Sequence, residues 1–302
     1  MSLFDKKVLV TGHTGLIGTV VVRMLKGVGA KVTGYDISEG RDIMDLNMLI
    51  EHVKGKDVVI HLAADSGVAH SKEIGYDAWK VNFWGTLNVL EACRYEPKLQ
   101  AVLTASTNHL YGMAENYPTA ETEPFLKLDT YTATKAALDV ASRSYAYDFN
   151  VPVAVIRNTN CFGPNDPHFD HIIPGSIRNI LKGQRPVIRS DGKKWKSYLY
   201  VDDVASAYLQ VAEWVIENKQ YGEAFNVSTD ETFTPIEVVF ALLNSMGSDL
   251  KPVIEGAPND DANEKLDWKK INKLTGWEPQ FTLAEGIALT VAGFKGREEV
   301  FA

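Results

Sequence analysis

Hydrophobic positions in the first half of the chain form short, nearly continuous runs separated by longer amphipathic stretches. The runs predict strands over residues 7–11, 31–36, 57–64, 100–106 and 151–158. The stretches between them predict helices over residues 15–29, 71–96 and 131–149. Strands that are apolar on both faces are typical of a parallel sheet covered by helices on each side. The pattern therefore predicts an α/β fold built on a doubly wound parallel sheet.

The second half of the chain has shorter elements separated by Gly, Pro and Asp. Residues 163–175 carry three prolines without a regular period and are predicted to form a loop. Helices are predicted over 172–182, 202–217, 235–246 and 283–294, the third beginning at Thr234-Pro235 with Glu237. We expect a first domain over residues 1–160 and a smaller C-terminal α/β domain over 161–302, interleaved with the first by chain crossings.

Composition narrows the class of protein without changing the predicted fold. The chain has 302 residues, of which 45% are hydrophobic and 23% charged, and its net charge is −8. This charge disfavours nucleic acid or an anionic membrane as the main partner. Two cysteines are too few for a disulfide scaffold. The N-terminal residues lead directly into a strand without an apolar signal segment, so we expect a cytoplasmic protein.

Three glycines follow the first predicted strand in "VLVTGHTGLIGTV" and open the first helix. Gly12 allows a sharp turn, Gly15 allows backbone amides to approach a pyrophosphate, and Gly18 allows the helix to pack closely on the strand. The second strand ends at Asp36, where a carboxylate is placed to bind the adenosine ribose. No arginine follows Asp36 directly, which favours NAD over NADP as the cofactor.

Several further motifs occur in a fixed order along the chain: "HLAA" at 61–64, "NFWGTLNVLEA" at 82–92, "YTATK" at 131–135, "YLYVDDVASA" at 198–207 and "LTGWEPQFTLAEGI" near the end. With the glycine turn they resemble the extended short-chain dehydrogenase/reductase family, which contains the nucleotide-sugar epimerases and dehydratases. The resemblance implies a Rossmann sheet with a smaller substrate domain, NAD as cofactor and a homodimer. It implies that NAD is bound by Gly12, Gly15, Leu16, Ile17, Gly18, Asp36, Asp42, Ile43, Leu62, Ala63, Ala64, Asn82, Tyr131 and Lys135.

Tyr131 and Lys135 are four residues apart on a predicted helix and therefore share a face. A lysine ammonium beside a phenol stabilises the phenolate, so we expect the pKa of Tyr131 to be lowered toward neutrality. The phenolate would take the proton of a sugar hydroxyl while hydride leaves the same carbon. The resemblance implies that Thr107 orients that hydroxyl.

The two residues after Thr107 bear on which reaction is catalysed. In the related sugar 4,6-dehydratases these positions usually carry acids, or an acid and a lysine, which eliminate water. Here they are Asn108 and His109. A 4-epimerase needs only Thr107 and Tyr131, acting on a transient 4-keto sugar. We therefore expect a nucleotide-sugar 4-epimerase.

Alternatives to this prediction remain open. A 4,6-dehydratase with unusual acid/base residues is one, and "TGHTG" with residues 261–279 resembles the CDP-glucose 4,6-dehydratase branch. A C3/C5 epimerase or a sugar dehydrogenase using His109 is another, because His109 and His171 resemble acid/base positions of GDP-fucose synthases. A non-enzymatic, NAD-sensing regulatory protein is a third, although such proteins often lack the Tyr or Lys present here.

The substrate side is predicted by resemblance alone. Asn160 matches an asparagine that contacts the substrate, Lys196 replaces a diphosphate-binding arginine, and Asn108 and His171 complete the predicted substrate-binding set. The loop over 163–175 would cover a nucleoside diphosphate sugar. Histidines and aspartates in that loop make metal ligation conceivable, but no metal site is predicted.

Overall fold

The computed structural model describes residues 2–164, 166–256 and 262–295. Residue 165 of the predicted loop, and residues 257–261 and 296–302 of the predicted second domain, lie outside the described residues.

Ten strands occur in these ranges: β1 Lys7–Thr11, β2 Lys31–Tyr35, β3 Val58–His61, β4 Ala101–Ala105, β5 Val153–Asn158, β6 Asn160–Phe162, β7 Val187–Ile188, β8 Tyr198–Tyr200, β9 Glu223–Val227 and β10 Val253–Ile254. The α-helices of the same ranges are α1 Leu16–Gly27, α2 Leu46–Val53, α3 Val68–Ile74, α4 Tyr76–Trp79, α5 Gly85–Arg94, α6 Thr130–Phe149, α7 Ile172–Leu181, α8 Val201–Asn218, α9 Pro235–Met246, α10 Lys269–Thr275 and α11 Leu283–Phe294.

Six parallel strands form the central sheet in the order β2-β1-β3-β4-β5-β9. Alternate residues of each strand point to opposite faces, so Val8 and Val10 pack beneath α1 and α8 while Leu9 packs beneath α2 and α5. Both faces are therefore covered by helices, which explains why the strands read as nearly continuous apolar runs. The doubly wound parallel fold predicted from the pattern is confirmed.

Strand β9 joins the central sheet although it belongs to the second half of the chain. It pairs in parallel with β5, from Ala154 opposite Glu223 to Asn158 opposite Val227. Two small parallel sheets, β6 with β8 and β7 with β10, stand apart from the central sheet. The division of the chain at residue 160 stays a prediction.

The largest local difference from the sequence-based expectation lies in the helix predicted over 71–96. The chain instead forms α3, turns at Gly75 with a φ of +50°, and resumes as α4, a π-helical turn over Lys80–Trp84 and α5. The helix breaks at Gly75 because a positive φ is incompatible with an α-helix, and glycine adopts this conformation more readily than other residues. A π-turn inside an α-helix is rare and occurs frequently at functional sites.

Residues that cap helix N-termini explain where two helices begin: α9, which the sequence predicted, and α2, which it did not. Thr234 and Glu237 form a reciprocal capping box at the start of α9, as predicted. Helix α2 was not predicted; Asp45 caps it by accepting a hydrogen bond from the Met48 amide at 2.9 Å. Within the described residues, no helix combines the length and apolar character needed to cross a bilayer.

Candidate active site

A cleft of about 1400 Å³ runs along the carboxyl ends of the central strands. In open parallel sheets ligands bind at these ends, where the strand order reverses, here between β1 and β3. Every residue predicted above to bind cofactor or substrate, or to act in catalysis, lines this cleft, with the exception of Asn82.

The turn between β1 and α1 fits a dinucleotide. Gly12 has a φ of +67°, and a Cβ at this position would lie 2.6 Å from the Ala63 nitrogen. A Cβ on Gly18 would overlap the carbonyl oxygen of Gly12. Gly15, the N-cap of α1, has no such conflict, since its Cβ would make only an ordinary contact of 3.4 Å. Gly15 therefore leaves the positive end of α1 open to a phosphate.

Asp36 stands at the end of β2 with its carboxylate already engaged by the protein. Oδ2 accepts hydrogen bonds from the Thr14 hydroxyl at 2.8 Å and the Thr14 amide at 3.3 Å. Oδ1 accepts from the Ser38 amide at 3.0 Å and the Ser38 hydroxyl at 2.8 Å. Burial raises the pKa of Asp36, but these hydrogen bonds outweigh it and hold the pKa below its usual value. An ionised acceptor at this place suits the hydroxyls of an adenosine ribose.

Asn82 was predicted to bind the cofactor but does not line the cleft. Its side chain is fully buried, accepts a hydrogen bond from the Asp65 amide at 2.7 Å, and donates to the Asp65 carbonyl and the Thr134 hydroxyl, both at 3.0 Å. Asn82 thus holds the segment after β3 against α6 from behind the cleft wall.

The predicted catalytic residues Thr107, Tyr131 and Lys135 meet at the end of β4. Thr107 lies near the Tyr131 hydroxyl, and its side chain acts to lower the pKa of that phenol. Lys135 lies one helical turn from Tyr131 on α6, with Nζ 5.9 Å from the ring centroid, and donates to the Ala105 carbonyl at 2.9 Å. The i, i+4 spacing therefore brings the ammonium near the phenol, as the sequence predicted.

The expected lowering of the Tyr131 pKa is not what the protein's own groups produce. Burial raises the pKa of Tyr131 to about 12, and the side chain of Thr107 offsets only part of this. Burial also lowers the pKa of Lys135 to about 8. Lys135 points toward the Ala105 carbonyl, so it stabilises the Tyr131 phenolate only weakly. The cost of removing the charged phenolate from water is therefore larger than this stabilisation.

A buried carboxylate that sequence reasoning missed connects four of the predicted residues. Glu264 Oε2 accepts hydrogen bonds from Asn108 Nδ2 at 2.7 Å and from Asn160 Nδ2 at 2.9 Å. Its Oε1 lies 3.2 Å from His109 Nδ1 and 3.5 Å from Lys196 Nζ. Burial raises the pKa of Glu264, but its charged and hydrogen-bonding neighbours dominate and hold the pKa well below its usual range.

Glu264 itself is not part of the cleft lining; it lies behind the wall that the other four residues form. It is held by the backbone, since its amide donates to the Trp195 carbonyl and its carbonyl accepts from the Ser197 amide. No sequence pattern marks it, because it belongs to an irregular segment 156 residues from Asn108. The contact between Lys196 and Glu264 also partly neutralises the cation expected to bind the diphosphate.

The loop after β6 approaches the segment after β3 across the cleft. His168 Nε2 lies 3.0 Å from the Ser66 hydroxyl, and His171 Nδ1 lies 3.0 Å from Oδ2 of the buried Asp166. Burial lowers the pKa of His171, but Asp166 outweighs it and raises the pKa above its usual value. Among the described residues, no three or more His, Cys, Asp and Glu side chains are arranged to hold a metal ion.

Comparisons with known proteins agree with this geometry. Residues 8–228 match the NAD dependent epimerase/dehydratase family. The chain is 30% identical to UDP-glucose 4-epimerase of Mycolicibacterium smegmatis, over 97% of this chain and all of that protein. It is 26% identical to dTDP-D-glucose 4,6-dehydratase of Mus musculus, over 97% of this chain and 89% of that protein.

Solved structures show the same likeness at the level of the fold. The UDP-glucose 4-epimerase of Thermotoga maritima, solved with UDP-glucose, superposes with a TM-score of 0.89 at 28% identity, covering 96% of this chain and 99% of the other. The dTDP-glucose 4,6-dehydratase DesIV of Streptomyces venezuelae, solved with NAD, gives 0.86 at 26% identity, covering 97% and 98%. The Rossmann-like fold, the family and NAD as cofactor are thus confirmed, and the chain belongs to the NAD-dependent epimerase/dehydratase family.

Proposed function

We propose that this enzyme is an NAD-dependent nucleotide-sugar 4-epimerase that acts through a transient 4-keto sugar. One observation carries the proposal. Thr107, Tyr131 and Lys135 meet in the cleft, but the next positions hold Asn108 and His109 instead of acids that could eliminate water. The carboxylate that contacts them, Glu264, lies behind the wall and is occupied by its neighbours. Both 4-epimerases and 4,6-dehydratases occur among the relatives, and this residue pair favours the former.

Each protein group has a defined task in the proposed reaction. Bound NAD supplies a hydride acceptor that later acts as the donor. Tyr131 takes the hydroxyl proton as the sugar carbon is oxidised and returns it after the keto sugar has turned over. Lys135, whose pKa of about 8 leaves it protonated at neutral pH, would favour the phenolate together with the positive charge of an oxidised nicotinamide, since the protein's own groups leave the pKa of Tyr131 at about 12. Thr107 accepts or donates a hydrogen bond at the reacting oxygen.

The substrate class proposed is a nucleoside diphosphate sugar. Arg178 and Arg189 line the same cleft as Asn160 and the predicted catalytic residues, and offer positive charge to a diphosphate. Lys196 is a weaker candidate than the sequence predicted, because Glu264 partly neutralises it.

The test is incubation of the purified enzyme with a panel of nucleoside diphosphate sugars, followed by NMR. Conversion to the C4 epimer supports the proposal. A stable 4-keto-6-deoxy product would instead establish a dehydratase, and net accumulation of NADH a dehydrogenase. Absence of any conversion or NADH formation across the panel counts against an enzymatic role.

The variant Tyr131→Phe tests the assigned base in the same assay. Loss of general acid–base catalysis predicts a fall in kcat of about 10²-fold to 10⁴-fold. Tyr145→Phe is the matched control, since Tyr145 also lies on α6 but contacts Glu91 away from the cleft. Retained turnover in Tyr131→Phe would remove this residue from the mechanism.

We also propose a homodimer that buries the outer faces of α5 and α6. Val140 and Tyr147, seven residues apart on one face of α6, are 57% and 91% exposed, and Trp84 beside α5 is 50% exposed. Val140→Asp combined with Tyr147→Asp should convert the dimer to a monomer in sedimentation, whereas Leu289→Asp on α11 should not. A monomeric wild type would contradict this assembly. The cytoplasmic location stays a prediction.

A further inference from the structure

Glu264 has an unusual place for a carboxylate. It contacts Asn108, His109, Asn160 and Lys196, which line the cleft, from the side that faces away from the cleft. It is 9% exposed and contacts side chains from three separate segments: the one after β4, the one around β6 and the one before β8. A buried, ionised group of this kind is costly unless its partners compensate it. Its retention beside the reacting residues therefore calls for an explanation in terms of the reaction.

The carboxylate determines which way the Asn108 side chain faces. An ionised carboxylate only accepts hydrogen bonds, so the Asn108 group 2.7 Å from Oε2 must be the amide nitrogen. The amide oxygen then faces Thr107, whose hydroxyl lies 3.4 Å away and donates toward it. With its proton directed to Asn108, the Thr107 oxygen is left as an acceptor for an arriving sugar hydroxyl.

We infer that Glu264 is a positioning residue of the reaction: it orients Asn108, and through Asn108 it sets the direction in which the Thr107 hydroxyl points at the place where the sugar reacts. The inference rests on the proposed roles of Thr107 and Tyr131. The same carboxylate also offsets the charge of Lys196 and lies beside His109 Nδ1. Because it also contacts Lys196 and Asn160, its removal changes predicted substrate-binding residues as well, so the positioning role is measured by kcat and not by KM.

The first test is Glu264→Gln, which keeps the shape but removes the charge. An amide can present either a donor or an acceptor to Asn108, so the orientation of Asn108 is no longer enforced. We expect kcat to fall about 10-fold to 100-fold, the size of a lost charge-assisted hydrogen bond, whatever change in KM follows from the altered contacts of Lys196 and Asn160. An unchanged kcat, or a loss confined to KM, would overturn the inference.

The matched control is Glu121→Gln. Glu121 is a half-buried carboxylate that accepts a hydrogen bond from the Asn226 amide at 2.9 Å, outside the cleft lining. Its replacement should leave both kcat and KM unchanged. A similar kcat loss in both variants would mean that a buried charge matters only for the fold, which contradicts the inference.

A double-mutant cycle tests whether Glu264 acts through Asn108. The variants are Glu264→Gln, Asn108→Ala and the two combined, with thermal unfolding measured for each. If the inference holds, Asn108→Ala lowers kcat by a similar factor, and the double variant is no slower than either single one. Full additivity overturns it. If Glu264→Gln does not fold, the Asn108→Ala variant alone tests the inference. A normal kcat in Asn108→Ala would overturn the positioning role of Glu264.

The readout keeps this inference separate from the proposed function. The rate of NADH appearance in a single turnover reports the first hydride transfer, which epimerase, dehydratase and dehydrogenase share. A dehydratase product from the wild type would refute the 4-epimerase proposal and leave the positioning test intact. Normal single-turnover rates in Glu264→Gln, with wild-type C4 epimerisation, would refute only the positioning role.

Discussion

Asp36 serves two purposes with one carboxylate. It accepts hydrogen bonds from Thr14 and Ser38, which hold the loop after β2, and it remains an ionised acceptor at the adenosine end of the cleft. We therefore expect local structure and cofactor selection to be coupled at this residue. The negative charge would also oppose a 2′-phosphate, so we expect Asp36 to favour NAD over NADP.

Asp36→Ala should weaken NAD binding about 10-fold to 100-fold, because hydrogen bonds between a charged acceptor and the ribose are lost. It should also narrow the preference for NAD over NADP. Calorimetric titration with each dinucleotide measures both effects. Asp57→Asn is the control, since Asp57 accepts from the Lys7 amide at the opposite end of the strands. Unchanged NAD affinity in Asp36→Ala would show that the ribose does not use this carboxylate.

Among the elements, the helical segment formed by α4, the π-turn and α5 shapes part of the cleft wall, although few of its own residues line the cleft. Gly85, the first residue of α5, packs against Ile43, a buried residue of the cleft wall. A Cβ on Gly85 would overlap the Ile43 side chain. The close approach of α5 to the loop after β2 therefore depends on a glycine at this position.

Gly85→Ala should force Ile43 to move and lower NAD affinity, at an overpacking cost of about 1–3 kcal/mol in stability. Gly27→Ala is the matched control: Gly27 is also helical, and its Cβ would meet nothing within 4 Å. That control should leave NAD affinity unchanged. Thermal unfolding and NAD titration of both variants decide the matter, and equal behaviour of the two would contradict the packing argument.

For the whole molecule, burying Lys135 makes stability depend on pH. The folded-state pKa is about 8 against an ordinary value of 10.5, so the unfolded chain binds more protons between these two pH values. Stability should therefore rise as the pH increases through this window. Tyr131 acts in the opposite sense at higher pH, because its raised pKa of about 12 removes stability above its ordinary value of 10.0.

Between about pH 7 and about pH 9.5, the Lys135 effect should add about 2 kcal/mol to the free energy of unfolding. Chemical denaturation of the wild type and of Lys135→Met at both pH values measures it, since the contributions of other groups cancel in the comparison. Between these two pH values, the free energy of unfolding of the wild type should rise relative to that of the variant. Parallel pH dependence of the two proteins would show that Lys135 keeps its ordinary pKa in the folded state.

Local sequence determined much of this protein. Nearly continuous apolar runs specified the first five strands of the central sheet, three glycines shaped the turn between β1 and α1, and the spacing of Tyr131 and Lys135 placed them on one helical face. Each of these features depends on residues close together in the chain, where periodicity and backbone geometry act directly.

Other features were decided only by the tertiary structure. The pairing of β9 with β5, the removal of Asn82 from the cleft, the pKa of Tyr131 and the contact of Glu264 with Asn108 all depend on packing between distant segments. Burial and long-range hydrogen bonds arise when several elements meet, and no short pattern records them. The residues that line this part of the cleft could thus be predicted from the sequence, but not the carboxylate behind them.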